Sequence, residues 1–437
     1  MRRALTAVVT AGALCCAGCL IGRSGVQPPD DDLHFPTAAA LSPDGGHLVV
    51  ANSNFDLAYR NGTIVLVDLD AVASHVDACP VDGCEPVDAS EFILEEDTVE
   101  IGSFASLMTA SPEGPRMYVT VRGDTSLTWF EVDDSAAPGR RLTCFDPDSP
   151  PKNRKCDSDH RVSSGLPPDP HDVTVVRRRH PTEGGGDVVA DWLFVTHLTS
   201  GKISVLRHEV EEGLDRDLPP SLVLVSESFA DGVSAVVEHP LYEDLFYVPT
   251  RHASFIYTFR FTSDVDNHEQ TTRLVLGPTI SLDVLADGHD NRDLAFSADG
   301  DAAFATNRSP NSLVVVDTSL DDWGWPRNRV VGLVELDSGP SMVTTWQPEG
   351  RDDQWVYATS YNGARLHVID PFLRRPVDVI HTGNGPHVFV TDPGRLLGYL
   401  VNFVESTISV VDLDPDSETF NEIRATIGEA EQVRGNQ

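Results

Sequence analysis

The chain has 437 residues, of which 40% are hydrophobic, and its 68 acidic and 32 basic side chains give a formal net charge of −36. Binding to DNA or RNA needs clustered Lys and Arg to displace the counterions of the phosphate backbone, so this surplus of carboxylates argues against nucleic-acid partners. After the N-terminal segment, no stretch approaches the ~20 apolar residues of a membrane-spanning helix. The acidic residues are interpreted as a solvated surface.

The N-terminus has the pattern of an export signal. A basic start at 1–3 precedes a short apolar stretch at 4–14, and Ala17-Gly18-Cys19 supplies two small residues before a cysteine. This pattern resembles the lipobox of bacterial lipoproteins, although Cys16 stands where that family has Leu. The resemblance implies that Cys19 is diacylated. A plain secretory signal, cleaved near Ala17 or Gly18, is the alternative.

The same resemblance divides the N-terminal region into a lipoprotein signal peptide, 1–18, and a lipidated linker, 19–35. Two or more acyl chains on one residue hold a protein firmly on a membrane. Leu20, in place of Asp, favours the outer membrane over the inner one. The sequence therefore predicts a lipid-anchored protein of the bacterial cell envelope, with membrane contact through the N-terminal lipid only.

From Pro36 onward one pattern of strands recurs. Its fullest copy has a first strand, the turn Ser42-Pro-Asp-Gly45, a second strand at 47–52 and a third at 62–68. Pro-Asp-Gly favours a tight turn, and the β-branched runs on either side predict antiparallel strands. A fourth β-rich run closes most copies, as at 98–102.

The pattern occurs seven times, with copies beginning at Pro36, Ala105, Pro170, Val233, Asn291, Pro340 and Pro386. In the third copy the first turn is enlarged, from Arg177 to Gly186. Sheets this small cannot bury both faces alone, so they must stack as radial blades. The predicted fold is all-β, a seven-bladed β-propeller of four-stranded antiparallel blades over 36–428, followed by a C-terminal tail, 429–437.

Four cysteines fall in two loops. Cys79 and Cys84 share one, and Cys144 and Cys156 share the other. In an exported protein these favour two local disulfides, among three possible pairings. Metal binding is the alternative, but neither pair has zinc-finger spacing with companion His, and no Cys-x-x-Cys-His motif for haem is present. The sequence predicts neither a metal nor a cofactor.

The inner strand of each propeller blade lines the central channel. Its first position is polar in every copy: Thr37, Ser106, His171, Ser234, Arg292, Ser341 and His387. The next position is Asp in two copies, Asp172 and Asp293. The loops after the second strands open on the same face and add further polar residues: Arg122, His197, Arg251, His252, Arg308 and Tyr361.

These positions yield the candidate ligand-binding residues His171, Asp172, His197, Arg251, Arg292, Asp293 and His387. Arginines gathered at one mouth would attract an anion or a carboxylate-bearing ligand. Alternatively, the polar side chains bond one another and trapped water. His171 and Asp172 point to opposite faces of a strand and are not expected to touch. A metal site of His171, His289 and His387 would require non-adjacent blades to converge.

The acidic loops at 30–32, 264–269 and 412–418 lack EF-hand spacing and are interpreted as solvated turns rather than calcium sites. The sequence has no nucleophile elbow, phosphate-cradling glycine loop or His-Glu-x-x-His motif. No catalytic residue can be assigned from it.

The copies at 41–68 and 296–317 resemble the YVTN-type repeats of bacterial seven-bladed propellers, and the resemblance spans about residues 36–428. It implies the fold; relatives include binding proteins of unknown ligand and lactonases, whose catalytic set has no clear counterpart here. The leading hypothesis is an exported scaffold that binds a protein or a small anionic ligand. The alternative is a lactonase-like hydrolase or lyase using His171, His387 and Arg292 at the channel mouth.

Overall fold

The computed structural model describes residues 25–144, 154–181, 187–210, 218–263, 271–282 and 289–429. The predicted signal peptide, Cys19 and the acidic loop at 264–269 lie outside these residues. The described chain forms seven antiparallel sheets arranged as blades, so the predicted seven-bladed β-propeller is confirmed. Within the described ranges, no helix is long and apolar enough to span a membrane.

The first three blades follow the chain order. Blade 1 contains β1 (Pro36–Leu41), β2 (His47–Asn52), β3 (Gly62–Asp68) and β4 (Val99–Ile101). Helix α1 (Leu69–Ala78) and short 3-10 turns at Ala89–Glu91 and Glu95–Asp97 lie between β3 and β4. Blades 2 and 3 contain β5 (Ala105–Ala110), β6 (Arg116–Val121), β7 (Ser126–Val132), β8 (Leu142–Thr143), β9 (Arg161–Val162), β10 (Pro170–Pro181), β11 (Asp187–His197), β12 (Lys202–Val210) and β13 (Ser221–Val225).

The other four blades repeat this order. Blades 4 and 5 contain β14 (Val237–Glu238), β15 (Leu245–Val248), β16 (Phe255–Thr262), β17 (Arg273–Leu276), β18 (Ile280–Ser281), β19 (His289–Phe296), β20 (Ala302–Ser309), β21 (Asn311–Asp317) and β22 (Arg329–Glu335). Blades 6 and 7 contain β23 (Pro340–Trp346), β24 (Trp355–Ser360), β25 (Arg365–Asp370), β26 (Arg375–His381), β27 (Pro386–Asp392), β28 (Leu397–Asn402), β29 (Thr407–Asp412) and β30 (Ile423–Ile427). In blades 2 and 4 the outer position is split into two short strands that pair with one neighbour, β7 or β16.

The third copy departs from its prediction. Residues 177–181 of the enlarged turn expected at 177–186 belong to β10, which continues to Pro181; β11 begins at Asp187, and 182–186 lie outside the described residues. Arg177 lies opposite Asp191 in this hairpin, and its Nε donates to the Asp191 carboxylate over 2.7 Å. Tyr118 of blade 2 donates to the same carboxylate over 3.1 Å. Asp191 is fully buried, so the charged hairpin is held by packing against blade 2.

Apolar side chains interlock between neighbouring sheets and form the core. Between blades 3 and 4, for example, Phe194 packs on Phe246, which stacks on Phe259 with ring centroids 5.0 Å apart. Each large apolar side chain buried in this way contributes roughly 1.5–3 kcal/mol. The small sheets therefore depend on one another for stability, as the repeat pattern predicts.

The ring closes between blades 7 and 1, each of which is built from a continuous piece of chain. The segment after helix α1 covers this seam: Val87 bridges to Ile427 of β30, and the Cys84 amide donates to the Arg424 carbonyl over 2.9 Å. Across the same seam Arg395 forms an ion pair with Asp70. An insertion of blade 1 thus adds an edge to blade 7.

Both predicted disulfides are confirmed, Cys79–Cys84 and Cys144–Cys156. They occupy equivalent structural roles. The first closes the loop that pairs with β30, and the second lies beside β4, where the Cys156 amide donates to the Glu100 carbonyl over 3.0 Å. Each disulfide therefore fixes an insertion of one blade to the outer strand of the preceding blade.

Candidate functional site

One backbone feature repeats in every blade at the channel mouth. The residue two positions before the polar position of the inner strand has a positive φ: Phe35, Phe104, Asp169, Gly232, Asp290, Gly339 and Gly385. For a residue with a Cβ this left-handed conformation costs roughly 1 kcal/mol. Three blades avoid the cost with glycine, whereas the other four place Phe or Asp there. Such strain is typical of functional positions.

The carbonyl of this left-handed residue accepts a hydrogen bond from the residue that follows the second strand. The bond is present in six blades, where the donors are Ser53, Arg122, Leu198, Arg251, Tyr361 and Phe403. The fold therefore brings two residues per blade to the same rim. These two sets of residues determine the chemistry of the mouth.

Two cavities that share Arg122 and Arg251 open at this rim. The smaller, of about 240 Å³, is lined by aromatic side chains together with polar ones: Phe55, Phe104, Tyr361, Phe403, Ser106, His171 and His387. The larger, of about 660 Å³, is polar and includes Asp169, Asp231, His252, Asp290 and Arg292. Of the seven predicted ligand-binding residues, His171, Arg251, Arg292 and His387 therefore line this mouth.

The aromatic side of the mouth belongs to blades 7, 1 and 2. We call Phe35, Phe55, Phe104 and Phe403 the aromatic cluster. Phe403 lies 5.3 Å from both Phe35 and Phe55, and Phe55 lies 5.9 Å from Phe104, measured between ring centroids. Phe55 is nevertheless 56% exposed. The cluster thus presents an apolar surface at the rim.

The cationic side contains four arginines. Arg122 pairs with Asp169 over 2.6 Å, and Arg292 pairs with Asp290 over 2.6 Å. The Nε of Arg308 donates to the Pro340 carbonyl over 2.8 Å, and burial and Arg292 lower the Arg308 pKa. Arg122 and Arg292 are therefore ion-paired within the protein, whereas Arg308 bonds to a neutral carbonyl.

Arg251, like Arg308, has no carboxylate within ion-pair distance among the described residues. Its Nη2 contacts His171, and its buried Nε–H has no hydrogen-bond partner. Burial and, next, the charge of Arg292 lower the pKa of Arg251 to about 9. The protein thus holds a cation in a site where that charge is poorly compensated.

His171 is held neutral. Its Nε2 lies 3.0 Å from Nη2 of Arg251, and because a guanidinium only donates, Nε2 must accept. The ring proton is then on Nδ1, which donates to the Ser106 hydroxyl over 2.7 Å. Burial and the nearby Arg251 hold the pKa of His171 well below its usual value. Ser106 accepts this bond, so its own hydrogen remains available to another acceptor.

Some side chains at the polar position of the inner strand bond to the neighbouring blade. Thr37 donates to the Ala105 carbonyl and Ser234 to the Asn291 carbonyl, each over 2.9 Å. His387 bonds to the Thr37 backbone, and burial followed by the charge of Arg308 lowers its pKa to about 4. The expectation that channel residues bond one another therefore holds for these side chains.

Asp172 and Asp293 also join blades. Asp293 accepts from the Val343 amide of blade 6 over 2.9 Å, and Asp172 accepts from the Val173 amide over 2.8 Å and from the Val236 amide of blade 4. Burial and, next, the charge of Asp293 raise the pKa of Asp172 to about 7, and burial raises the pKa of Asp293 to about 6. Neither carboxyl lines the two mouth cavities.

His197 lies inside blade 3. It is the last residue of β11, fully buried, and its Nε2 is 2.8 Å from the Ser204 hydroxyl of β12. Burial lowers its pKa to about 4. The next residue, Leu198, takes the position at the rim.

The suggested metal site of His171, His289 and His387 does not form in the described residues. There, the ligand atoms of three metal-binding side chains converge at His75, Cys79 and Cys84, and both of these cysteines are disulfide-bonded.

The sequence interpretation overlooked the aromatic cluster and the carboxylates Asp169 and Asp290. The available signal was the residue two positions before each polar position, where Phe or Asp alternates with Gly. That position contains Phe35, Phe104, Asp169 and Asp290.

No family model matches the chain, and no curated protein matches it, so the YVTN-type resemblance stays a prediction. Solved structures do match. Hydrazine synthase of Kuenenia stuttgartiensis is 14% identical with a TM-score of 0.55, over 89% of this chain and 98% of that one. A protein provisionally assigned as a 6-phosphogluconolactonase, from Bacteroides fragilis, is 14% identical with a TM-score of 0.52, over 84% and 92%.

A dihydro-heme d1 dehydrogenase is 15% identical with a TM-score of 0.50, over 89% of this chain and 64% of that one. At such identities a likeness shows the fold and leaves the site open. The ring of seven sheets and these matches agree on that fold: the chain is a seven-bladed β-propeller.

Proposed function

We propose that this protein is a lipid-anchored propeller of the bacterial cell envelope that binds a small anionic ligand at its channel mouth. The observation that carries the proposal is Arg251, a partly buried guanidinium that has no carboxylate partner among the described residues. Withdrawing a charge from water is costly unless an opposite charge compensates it. A bound oxyanion would supply that compensation.

The surrounding charges favour such a ligand. The larger mouth cavity is lined by three arginines and by three carboxylates, Asp169, Asp231 and Asp290, and the charge of Arg308 also acts on Arg251. The mouth is therefore far less negative than the chain as a whole, whose net charge is −36. Such a difference in local charge favours an anionic ligand at the mouth over the rest of the surface. The Ser106 hydroxyl, which lines the smaller cavity together with Arg122 and Arg251, adds a hydrogen-bond donor.

A hydrolase or lyase at the mouth is less well supported. For Ser106 to act as a nucleophile, His171 would have to accept its proton. In the arrangement described above, the imidazole instead donates to the serine oxygen, because Arg251 occupies the other ring nitrogen. The similar lactonase-assigned and heme d1 structures support the fold, and nothing of their chemistry is transferred.

Export and lipidation at Cys19 are proposed from the lipobox resemblance. The two disulfides support export, since such bonds persist in oxidising compartments. Mass spectrometry of the protein from its host should find acyl chains on the N-terminal Cys19, and Cys19→Ser should leave the membrane fraction. An unmodified N-terminus at another residue would overturn the anchor and leave the ligand site untouched.

Binding is tested on the purified protein with calorimetry and thermal shift, using inorganic phosphate and acetate as probes. Arg251→Gln should lower affinity at least tenfold, because a charge-assisted contact is lost. The matched control is Arg329→Gln, an exposed arginine paired with Asp317 away from the mouth, which should bind as the wild type does. Equal affinities of the Arg251 variant and the wild type would overturn the proposal.

A further inference from the structure

The mouth is two-sided. The same cavity of about 240 Å³ is lined by an aromatic set, Phe55, Phe104 and Phe403, and by a polar set that includes Arg122, His171 and Arg251. A site for a bare inorganic anion needs only the second side. The aromatic cluster therefore calls for its own explanation.

Holding that cluster in place is costly. Phe35 and Phe104 adopt φ values of +48° and +60° at the position where three other blades have glycine. Phe55, whose backbone is not left-handed, instead keeps more than half of its surface in water. An exposed apolar side chain beside a cavity is expected where a ligand packs on it.

The described neighbours do not cover Phe55. It contacts Phe35, Phe104 and Phe403 and still keeps 56% of its surface exposed, and Leu57 in the same loop is 55% exposed. If the cluster served only to plug the channel, Phe55 would be buried as Phe403 is. Instead an exposed phenylalanine lines the same cavity as Arg251.

We propose that the ligand of the mouth is an amphiphilic organic acid: a carboxylate that meets Arg251, attached to an aromatic or short aliphatic body that packs on the aromatic cluster. This inference rests on the proposed anion site. The cavity has room for about eight water-sized groups, at ~30 Å³ each. That room matches a carboxylate with a body of about five or six carbon atoms.

The chemistry predicts how affinity changes with the ligand. Each methylene buried against the cluster should tighten binding about fourfold, which corresponds to ~0.8 kcal/mol. The rise should end when the cavity is full. Polycarboxylates gain less, because the net charge of −36 repels their additional charges.

The test is calorimetry with acetate, butyrate, hexanoate and phenylacetate on the wild type, Phe55→Ala and Arg251→Gln. We expect affinity to rise from acetate to hexanoate in the wild type and the rise to flatten in Phe55→Ala. Phe55 is exposed, so this variant should fold, which circular dichroism checks. The matched control is Phe372→Ala, a 75% exposed phenylalanine away from the mouth, which should keep the full rise.

The outcomes separate the two proposals. Equal affinity for all four acids, with loss in Arg251→Gln, would overturn the amphiphile and leave the anion site standing. No binding of any acid, or binding that Arg251→Gln leaves unchanged, would overturn the anion site itself. An unaltered rise in Phe55→Ala would also overturn the proposed role of the cluster.

Discussion

Arg251 donates to His171 over 3.0 Å, and this contact fixes the protonation state of both side chains. The imidazole has its lone pair toward the guanidinium, and its pKa lies well below the usual value. The cation that an anionic ligand meets is therefore arginine alone. The neutral histidine positions that cation.

The first prediction concerns the pH dependence of binding. An imidazolium would lose its charge near pH 6.5 and release the anion as pH rises. Because His171 is already neutral, hexanoate affinity should stay constant within a factor of two between pH 6 and 8, as measured by calorimetry. A tenfold weakening across that range would show that a protonated histidine holds the ligand.

The second prediction concerns stability and pH. The folded-state pKa values of Asp172 and Asp293, about 7 and about 6, lie above those of an unfolded chain. The native protein therefore binds more protons between about pH 4 and 7, and the contribution of these two groups falls as pH rises through that window. The double variant Asp172→Asn/Asp293→Asn lacks both titrating groups, so it should not show this loss of stability.

The double variant should gain a few degrees in melting temperature relative to the wild type when pH is raised from 5 to 8.5. His171 and His387 titrate in the opposite sense, since their lowered pKa values favour the native state at higher pH, but they are common to both proteins. Differential scanning calorimetry at both pH values gives the comparison. A constant difference would contradict the raised pKa values.

The third prediction concerns the disulfides. Cys79 and Cys84 are 5 positions apart in the sequence, and Cys144 and Cys156 are 12 positions apart. On the chain-entropy relation these bonds stabilise by about 2 and about 3 kcal/mol, respectively. Cys79→Ser/Cys84→Ser and Cys144→Ser/Cys156→Ser should each lower the urea midpoint and leave the far-ultraviolet circular dichroism unchanged. An unaltered midpoint in both variants would contradict a bracing role.

The fourth prediction concerns the joint between blades 2 and 3. Asp191 is fully buried and accepts from Arg177 and Tyr118. Asp191→Ala should destabilise the protein by about 3–5 kcal/mol, because it leaves a buried guanidinium without its partner. The control is Asp416→Ala, an exposed partner of Arg351, which should cost less than about 1 kcal/mol. Urea unfolding measures both.

The blades were predictable because their signal is local. Turns such as Ser42–Gly45 fix a hairpin through their own backbone preferences, and each flanking run is apolar enough to identify a strand. Helix α1 was missed although its signals are present: Asp68 caps the first turn, and Leu69 and Val72 form the buried side. Asp68 was interpreted only as the end of the third strand, although it also caps the helix that follows.

The site was harder to predict because it depends on single-residue registers. His197 was assigned to the rim, but it ends β11, and a shift of one residue turns a side chain to the other face of a strand. Phe35 and Phe104 resemble ordinary core aromatics in the sequence. Their backbone conformation, left-handed at both, confirms that they belong to a repeated position at the mouth.

The described chain enters blade 1 on the same side as the mouth. Gly25 lies against Arg60, whose amide donates to the Val26 carbonyl over 3.0 Å. Cys19 is six residues upstream, and a fully stretched chain of that length reaches at most ~20 Å. With Cys19 lipidated as we propose, a tether this short would place the aromatic rim of the propeller toward the lipid headgroups.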